Sequence, residues 1–441
     1  MTAPLTRRAI FAQAWPIMLG QTTVPLVGLV DTAVIGRTGD AAALAGVALG
    51  TMVINLIFWT FGFLRMGMTG MTAQAQGAGD GREVEAMLLR GVAAGFALGV
   101  VLFALQIALI PLALATLAGG GALDAAAGGY VGARFFGAPA SLALFAINGW
   151  LFGLGRTRAA LVLQIVMNLV NIGLDLLFVW HFHMGARGVG LGTACAEWVS
   201  LAVGLAIVGR GVDWRRMLSP ALFGGGALKR LFAVNADIMI RTIALLLTFL
   251  WFTNAGARLG ETALAANYVL LQFVSVAAFV LDGFAFTAES RVGQAIGARS
   301  RPAVVRAIRL TGEFSLLAGI GFALLFFVSG GPLIAFFAAD AGVRAQAAAL
   351  LPFAAIIPAV GVPAWLLDGI FIGATRGRAL RNAAIVASAL YIATDLLLRP
   401  FGANGIWWAF MASYPYRALA LAAYLPGLLK TIEVAEPAAA T

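Results

Sequence analysis

The sequence predicts an all-α integral membrane protein, twelve transmembrane helices in two six-helix lobes related by a pseudo-two-fold axis along the membrane normal. Three observations predict it. First, 61% of the residues are apolar and 11% charged, against about a quarter charged in ordinary soluble domains. Second, apolar runs recur along the whole chain, each near the roughly 20 residues that cross a hydrocarbon core of about 30 Å at about 1.5 Å per residue. Third, the chain repeats itself. Phe152-Gly153-Leu154-Gly155-Arg156-Thr157-Arg158-Ala159 returns as Ile372-Gly373-Ala374-Thr375-Arg376-Gly377-Arg378-Ala379, and Gln76-Gly77-Ala78-Gly79-Asp80 returns as Gln294-Ala295-Ile296-Gly297-Ala298. Asp175 returns as Asp395, and Gly185-Ala186-Arg187-Gly188-Val189 as Gly402-Ala403-Asn404-Gly405-Ile406. Such duplication in a membrane points to a pathway between two bundles.

Span 1, residues 10–36, opens behind Arg7-Arg8, contains Pro16 and Pro25, and carries Asp31 near its end. Proline removes a backbone donor and kinks a helix, so Pro16 and Pro25 are candidates for a conformational switch. Thr6-Arg7-Arg8 resembles a twin-arginine export signal; Lys229-Arg230-Leu231-Phe232 opens the second half in the same way, so the pair is read as the anchor of span 1. Span 2 covers 43–70. Span 3, 87–118, has Gly91, Gly95 and Gly99 at the small-xxx-small spacing that brings helix backbones together. Span 4, 128–154, carries Asn148; span 5, 159–181, carries Gln164, Asn168, Asn171 and Asp175; span 6, 189–209, carries Thr193, Cys195 and Glu197. These spans form an N-terminal lobe over 1–209, followed by a polar linker over 210–230.

The C-terminal lobe over 231–429 is built in the same way. Span 7, 231–256, carries Asp237 and Arg241; span 8, 262–290, Asp282 and Glu289; span 9, 307–338, Glu313. Span 10, 345–374, has Asp368 where the first half has Asn148, span 11, 380–398, has Asp395, and span 12, 404–427, has Arg417. A short Ala-rich tail fills 430–441.

The net charge of +10 invites a nucleic-acid reading, which the placement of the basic residues removes. Twenty of the 29 Lys and Arg lie in even-numbered gaps and at the termini, and six, Arg37, Arg134, Arg187, Arg258, Arg344 and Arg399, in odd-numbered gaps. The positive-inside rule then places both termini in the cytoplasm of a multi-pass protein of the inner membrane. Cys195 stands alone, which excludes an internal disulfide and fits a small packed residue. The sequence has no Walker-type loop, no His-Glu-x-x-His zinc pattern and no Gly-x-Ser-x-Gly elbow. An ATP site, an enzyme and an organic cofactor are therefore not expected.

Polar residues inside spans need a reason, since a carboxylate at a helix centre costs about 2.5–3.5 kcal/mol on insertion scales. Gln164, Asn168, Asn171 and Asp175 stand at i, i+4, i+7 and i+11, a single stripe on an otherwise apolar helix. Such a stripe is either a seam of interhelical amide bonds or a site, and a seam gains nothing from Asp175. Asp31, beside two prolines, is either an acid at the outer interface near Arg37 or the second member of that site, with Asn148 and Thr193 facing both. In the second half Asp237 and Arg241, and Asp395 and Arg399, are spaced for intrahelical ion pairs. Asp282, Glu289 and Asp368 are candidates for substrate binding or for charge compensation with Arg65 or Arg417; Gln164 and Asn168 are further substrate-binding candidates.

Val24-Pro25-Leu26-Val27-Gly28-Leu29-Val30-Asp31-Thr32-Ala33-Val34-Ile35-Gly36, Phe63-Leu64-Arg65-Met66, Thr72-Ala73-Gln74-Ala75, Leu281-Asp282-Gly283-Phe284-Ala285 and Asp368-Gly369-Ile370-Phe371-Ile372-Gly373-Ala374 resemble the DinF-like branch of the multidrug and toxic compound extrusion (MATE) family. The resemblance runs over nearly the whole chain. It implies two six-helix lobes about a central cleft and cation-coupled export by alternating access. It also implies that Asp31, Asn148, Asn171, Asp175 and Thr193 form a hydrogen-bonded, protonatable network, and that Pro16 bends the first helix. The glutamate that the sodium-linked branch uses on its seventh helix is not evident, since Asp237 and Arg241 stand there.

These readings lead to a proton-coupled antiporter of amphipathic cationic or zwitterionic compounds, with H+ as coupling ion. Na+ at Asp31, Asp175 and Asn171 is the alternative coupling ion, and a flippase for lipids or lipid-linked glycans the alternative cargo. A receptor or scaffold would leave the buried carboxylates without a purpose, and a passive channel would carry flux without a gradient. Small amphipathic molecules and the bilayer are the expected partners, without nucleic acid, and a two-lobe chain is expected to work as a monomer.

Overall fold

The computed structural model describes residues 5–117, 120–210, 212 and 225–433. Most of the expected linker, residues 213–224, and most of the expected tail, residues 434–441, lie outside the described residues. Among those described, the chain forms helices and no strand. They are α1 (Arg7–Gly36), α2 (Ala41–Thr60), α3 (Phe63–Gly77), α4 (Gly81–Leu117), α5 (Ala122–Phe136), α6 (Ala138–Gly153), α7 (Thr157–Asp175) and, after a π turn (Leu176–His181), α8 (Gly185–Gly209). There follow α9 (Gly225–Ala257), α10 (Glu261–Gly297), α11 (Arg301–Phe337), α12 (Ala341–Val360), α13 (Val362–Gly373), α14 (Gly377–Leu398), a 3-10 turn (Arg399–Phe401), α15 (Gly402–Ala422) and α16 (Leu425–Glu433).

Among the described residues, ten helical segments are long and apolar enough to cross a membrane, and α5 with α6, bent by 51°, makes an eleventh. One of the ten, Gly377–Ile432, is 56 residues long and holds both α14 and α15, so the total reaches the expected twelve. The breaks within spans have local causes. Gly137 separates α5 from α6 and Gly361 separates α12 from α13, and in both cases a proline in the next first turn cannot donate to the preceding carbonyls.

The internal repeat is visible in the backbone. Gly155 and Thr375 both adopt positive φ, +70° and +53°, just before α7 and α14. Arg156 N donates to Leu151 O at 2.8 Å and Arg376 N to Phe371 O at 3.0 Å. Gly185 and Gly402 open α8 and α15 at φ +54° and +57°. The Gln76–Gln294 alignment needs a shift of two residues: Gly79 (φ +73°) corresponds to Arg299 (φ +53°), and Asp80 corresponds to Ser300, each capping the next helix. Gln74 therefore corresponds to Gln294 and Gly77 to Gly297.

Contacts divide the chain into two compact units. The N unit comprises Thr22–Thr72 and Asp80–Phe232. In it α4 packs on α6 through the expected glycine ladder: a Cβ on Gly95 would strike Leu142 O, and one on Gly99 would strike Ala138 O and Pro139. The C unit comprises the chain up to Gln21, Ala73–Gly79 and the chain from Ala233 onward. It thus takes in two short pieces that the division at 209 and 231 assigns to the first half. The first is held by Arg7, which donates to Glu313 on α11 at 2.9 and 3.0 Å, and by Ile10 and Ala14, which pack with Phe284 and Leu310. The second is held by Gln74 Nε2, which donates to Gly373 O at 2.9 Å, and by a reciprocal crossing in which Gly77 abuts Gln294 O and Gly297 abuts Gln74 O. Aromatic side chains fill the C unit's core. Trp407 lies edge-on to Phe252 and donates to Asn267 Oδ1 at 2.8 Å.

Candidate functional site

The polar stripe of α7 grades from half-buried to fully buried along the helix. Gln164 Nε2 donates to Asn168 Oδ1 at 2.9 Å, both half-buried, whereas Asn171 and Asp175 are 0% exposed. Asp175 is the last residue of α7 before the π turn. A π turn is wider than an α turn and is commonly found at functional positions. From this turn Trp180 Nε1 donates to Val34 O at 3.1 Å, pinning the last turn of α1, which carries Asp31.

This places Asp31, itself buried, with its carboxyl in hydrogen-bonding contact with that of Asp175. Two carboxylates in contact and away from water repel strongly when both are ionised. Asn171 Nδ2 donates to Asp175 Oδ2 at 3.2 Å and to Thr193 Oγ1 at 3.1 Å, and Thr193 Oγ1 donates to Val189 O at 3.1 Å. The other carboxyl oxygen, Asp175 Oδ1, rests on Gly192 of α8, where any Cβ would overlap it. The group thus comes from three helices, α1, α7 and α8.

A buried ion pair lies beside it. Arg134 at the end of α5 contacts Glu197 of α8 at 3.1 Å, and its guanidinium stands 5.6 Å from the Phe58 ring centroid. Arg134 is near enough to attract the charge of both aspartates. Thr51 Oγ1 donates to Tyr130 OH at 3.1 Å one helical turn away. The charge-counting that put Arg134 in an outer loop is corrected here: it is a buried partner of Glu197.

Of the five residues expected in one network, Asp31, Asn171, Asp175 and Thr193 are brought together. Asn148 on α6 is half-buried and is not among the hydrogen-bond partners of that group. Pro16 and Pro25 both lie inside α1, on either side of the unit boundary between Gln21 and Thr22. Sequence reasoning missed Gly192, Trp180 and Arg134. The first two carry no signal of their own among many glycines and tryptophans; Glu197 within a span required a base, but Arg156, Arg158 and Arg187 all stand nearer to it in the chain than Arg134.

In the C unit the expected intrahelical pair between Asp237 and Arg241 does not form. Asp237 accepts from Arg381 Nη1 at 2.7 Å, while Arg241 Nη2 donates to Asp368, which Arg417 Nε also approaches at 3.5 Å. The reason is geometric: α13 and α14 bring partners into the bundle that outcompete a pair along one helix. Asp368 is therefore charge-compensated. Asp395 takes Trp251 Nε1 at 2.8 Å, with Arg399 and Arg258 each at 3.8 Å. Asp282 and Glu289 lie on α10, Asp282 half-buried and Glu289 buried.

The MatE family model matches residues 16–177 and 238–397, one copy in each half of the chain. The DNA damage-inducible protein F of Escherichia coli is 37% identical over 420 residues, covering 94% of this chain and 91% of its own length. A probable multidrug resistance protein NorM of Deinococcus radiodurans is 28% identical over 435 residues, with 94% of each chain covered. A crystal structure of MATE in complex with MaL6 superposes with a TM-score of 0.88 over 97% of each chain at 17% identity, so the fold is shared. With its two family matches on two helical repeats and this relative at more than a third identity, the chain belongs to the MatE family of membrane transporters.

Proposed function

We propose that this protein is a secondary active exporter of amphipathic organic compounds, coupled to protons through the Asp31–Asp175 pair. The observation that carries the reading is the pair itself: two buried carboxyls in contact, with Asn171 and Thr193 completing the hydrogen bonds. Its charge state decides its packing. When both acids ionise, the contact becomes repulsive, and α1, whose last turn accepts a bond from Trp180, is the element that moves. A proton that re-forms the pair draws α1 back. Relatives named for multidrug resistance support organic cargo.

The driving force is sufficient. One proton crossing about 100 mV supplies about 2.3 kcal/mol, and one pH unit about 1.4 kcal/mol. Protons are favoured over sodium because the glutamate of the sodium-linked branch is not evident on the seventh span, where Asp237 and Arg241 stand, and Asp368 in the C unit is already taken by two guanidiniums.

The test is proton release from liposome-reconstituted protein on addition of ethidium. Wild type should release protons, and Asp31→Asn and Asp175→Asn should not, with elution profile and helix content retained. Release that persists in both variants sinks the proton assignment. A sodium requirement for dye flux would replace it with the sodium reading.

A further inference from the structure

In the C unit two buried guanidiniums meet on one buried carboxylate among the transmembrane helices. Asp368 on α13 is 5% exposed and faces Arg241 from α9 and Arg417 from α15, each 8% exposed. Two guanidiniums on one carboxylate leave one net positive charge. The Nε–H groups of Arg241 and Arg417 make no hydrogen bond, although Arg417 Nε lies 3.5 Å from Asp368 Oδ2. The cluster at Asp395 also draws two arginines, but Arg258 and Arg399 are 44% and 46% exposed and water balances them. Arg241 and Arg417 are shielded from that water.

Stability alone does not account for this arrangement. A single Arg–Asp pair would be neutral, and each further buried charge is penalised in a bilayer. Guanidinium is the group best matched to a planar or tetrahedral oxyanion, through paired N–H donors. An apolar wall adjoins it, with Tyr414 5.7 Å from the Arg417 guanidinium and Trp365 5.0 Å from Tyr414 between ring centroids.

We propose that Arg241 and Arg417 receive an oxyanion carried by the cargo, a carboxylate, sulfonate or phosphate, while Asp368 holds the two guanidiniums in place. The preferred cargo is then a zwitterionic or anionic amphiphile, and a simple cation is disfavoured at this cluster. This deepens the export reading above and rests on it.

The test compares rhodamine B with its ethyl ester, which share one cationic ring system and differ in a free carboxylate. Full-length protein in phosphatidylcholine nanodiscs, free of anionic lipid, is titrated by fluorescence polarisation, and export of both dyes is followed in proteoliposomes. Wild type should bind the acid about tenfold more tightly than the ester, the scale of one charge-assisted contact. Arg417→Gln should remove that preference by weakening the acid alone, and Arg417→Lys should keep part of it. Asp368→Asn, which leaves both arginines and lowers the negative charge, should preserve or widen the preference. The ester binding as tightly as the acid, or Asp368→Asn weakening the ester as a cation receptor would, overturns the inference. If Arg417→Gln does not elute as folded protein, the wild-type dye pair and Asp368→Asn decide. Export of both dyes with equal efficiency leaves the export reading standing and this inference refuted, whereas export of neither refutes the export reading itself.

Discussion

Gly192→Ala tests the coupling site through the one residue that contributes no side chain to it. The ideal Cβ at this position overlaps Asp175 Oδ1 and stands 3.2 Å from both Asp175 Cγ and Asp175 N. Rotating the carboxyl relieves the first clash but not the contact with the backbone nitrogen, so α8 must also shift against α7. Overpacking of this kind costs about 1–3 kcal/mol. The displaced carboxyl loses its contact with Asp31 and its 3.2 Å bond from Asn171, each hydrogen bond worth about 0.5–1.5 kcal/mol. Since about 1.4 kcal/mol is a factor of ten, substrate-triggered proton release in proteoliposomes should fall by at least roughly tenfold. Gly173→Ala is the control: it lies on α7, close to Asp175, and its Cβ would meet nothing within 4 Å. That variant should be neutral or slightly more stable, by up to about 1 kcal/mol from helix propensity. Wild-type proton release and an unchanged melting temperature in Gly192→Ala would refute the packing geometry assigned to Asp175.

Three further substitutions probe the surrounding structure. Arg134→Gln leaves Glu197 buried without its cation and should lower stability by about 3–5 kcal/mol, with Arg134→Gln/Glu197→Gln recovering most of it in thermal unfolding; equal losses in the single and double variants would count against a compensating pair. Gly77→Ala and Gly297→Ala each drive a methyl into a backbone carbonyl, of Gln294 and Gln74, where no side chain can yield. Each should cost about 1–3 kcal/mol, and the two losses should be non-additive because they report one crossing; additive or negligible losses by thermal unfolding would dissolve that reading. Trp180→Phe removes one bond to Val34 O, about 0.5–1.5 kcal/mol, and should loosen the end of α1, read as faster hydrogen exchange over residues 31–36; unchanged protection there would mean that the indole does not hold this turn.

The membrane class, the number of spans and the duplication were legible because each is written in local terms. A span needs only a long apolar run, and the repeat marks itself by turn residues such as Gly155 and Thr375, whose positive φ follows from their place after a helix. The stripe on α7 was equally legible, since periodicity alone puts Asn171 and Asp175 on one face. Pairings across helices were not. Arg241 stands one turn from Asp237 in the chain, yet bonds to Asp368, 127 residues away, because burial rewards whichever opposite charge packing brings nearest. Gly192 carries no chemistry until Asp175 lies against it, and Arg134 reads as a loop arginine until α5 and α8 enclose it with Glu197. By itself, then, the sequence determined what must be buried and at what period. Only the tertiary structure decided which buried charge meets which, because in a low-dielectric interior that outcome depends on distances of a few ångströms between helices far apart in sequence.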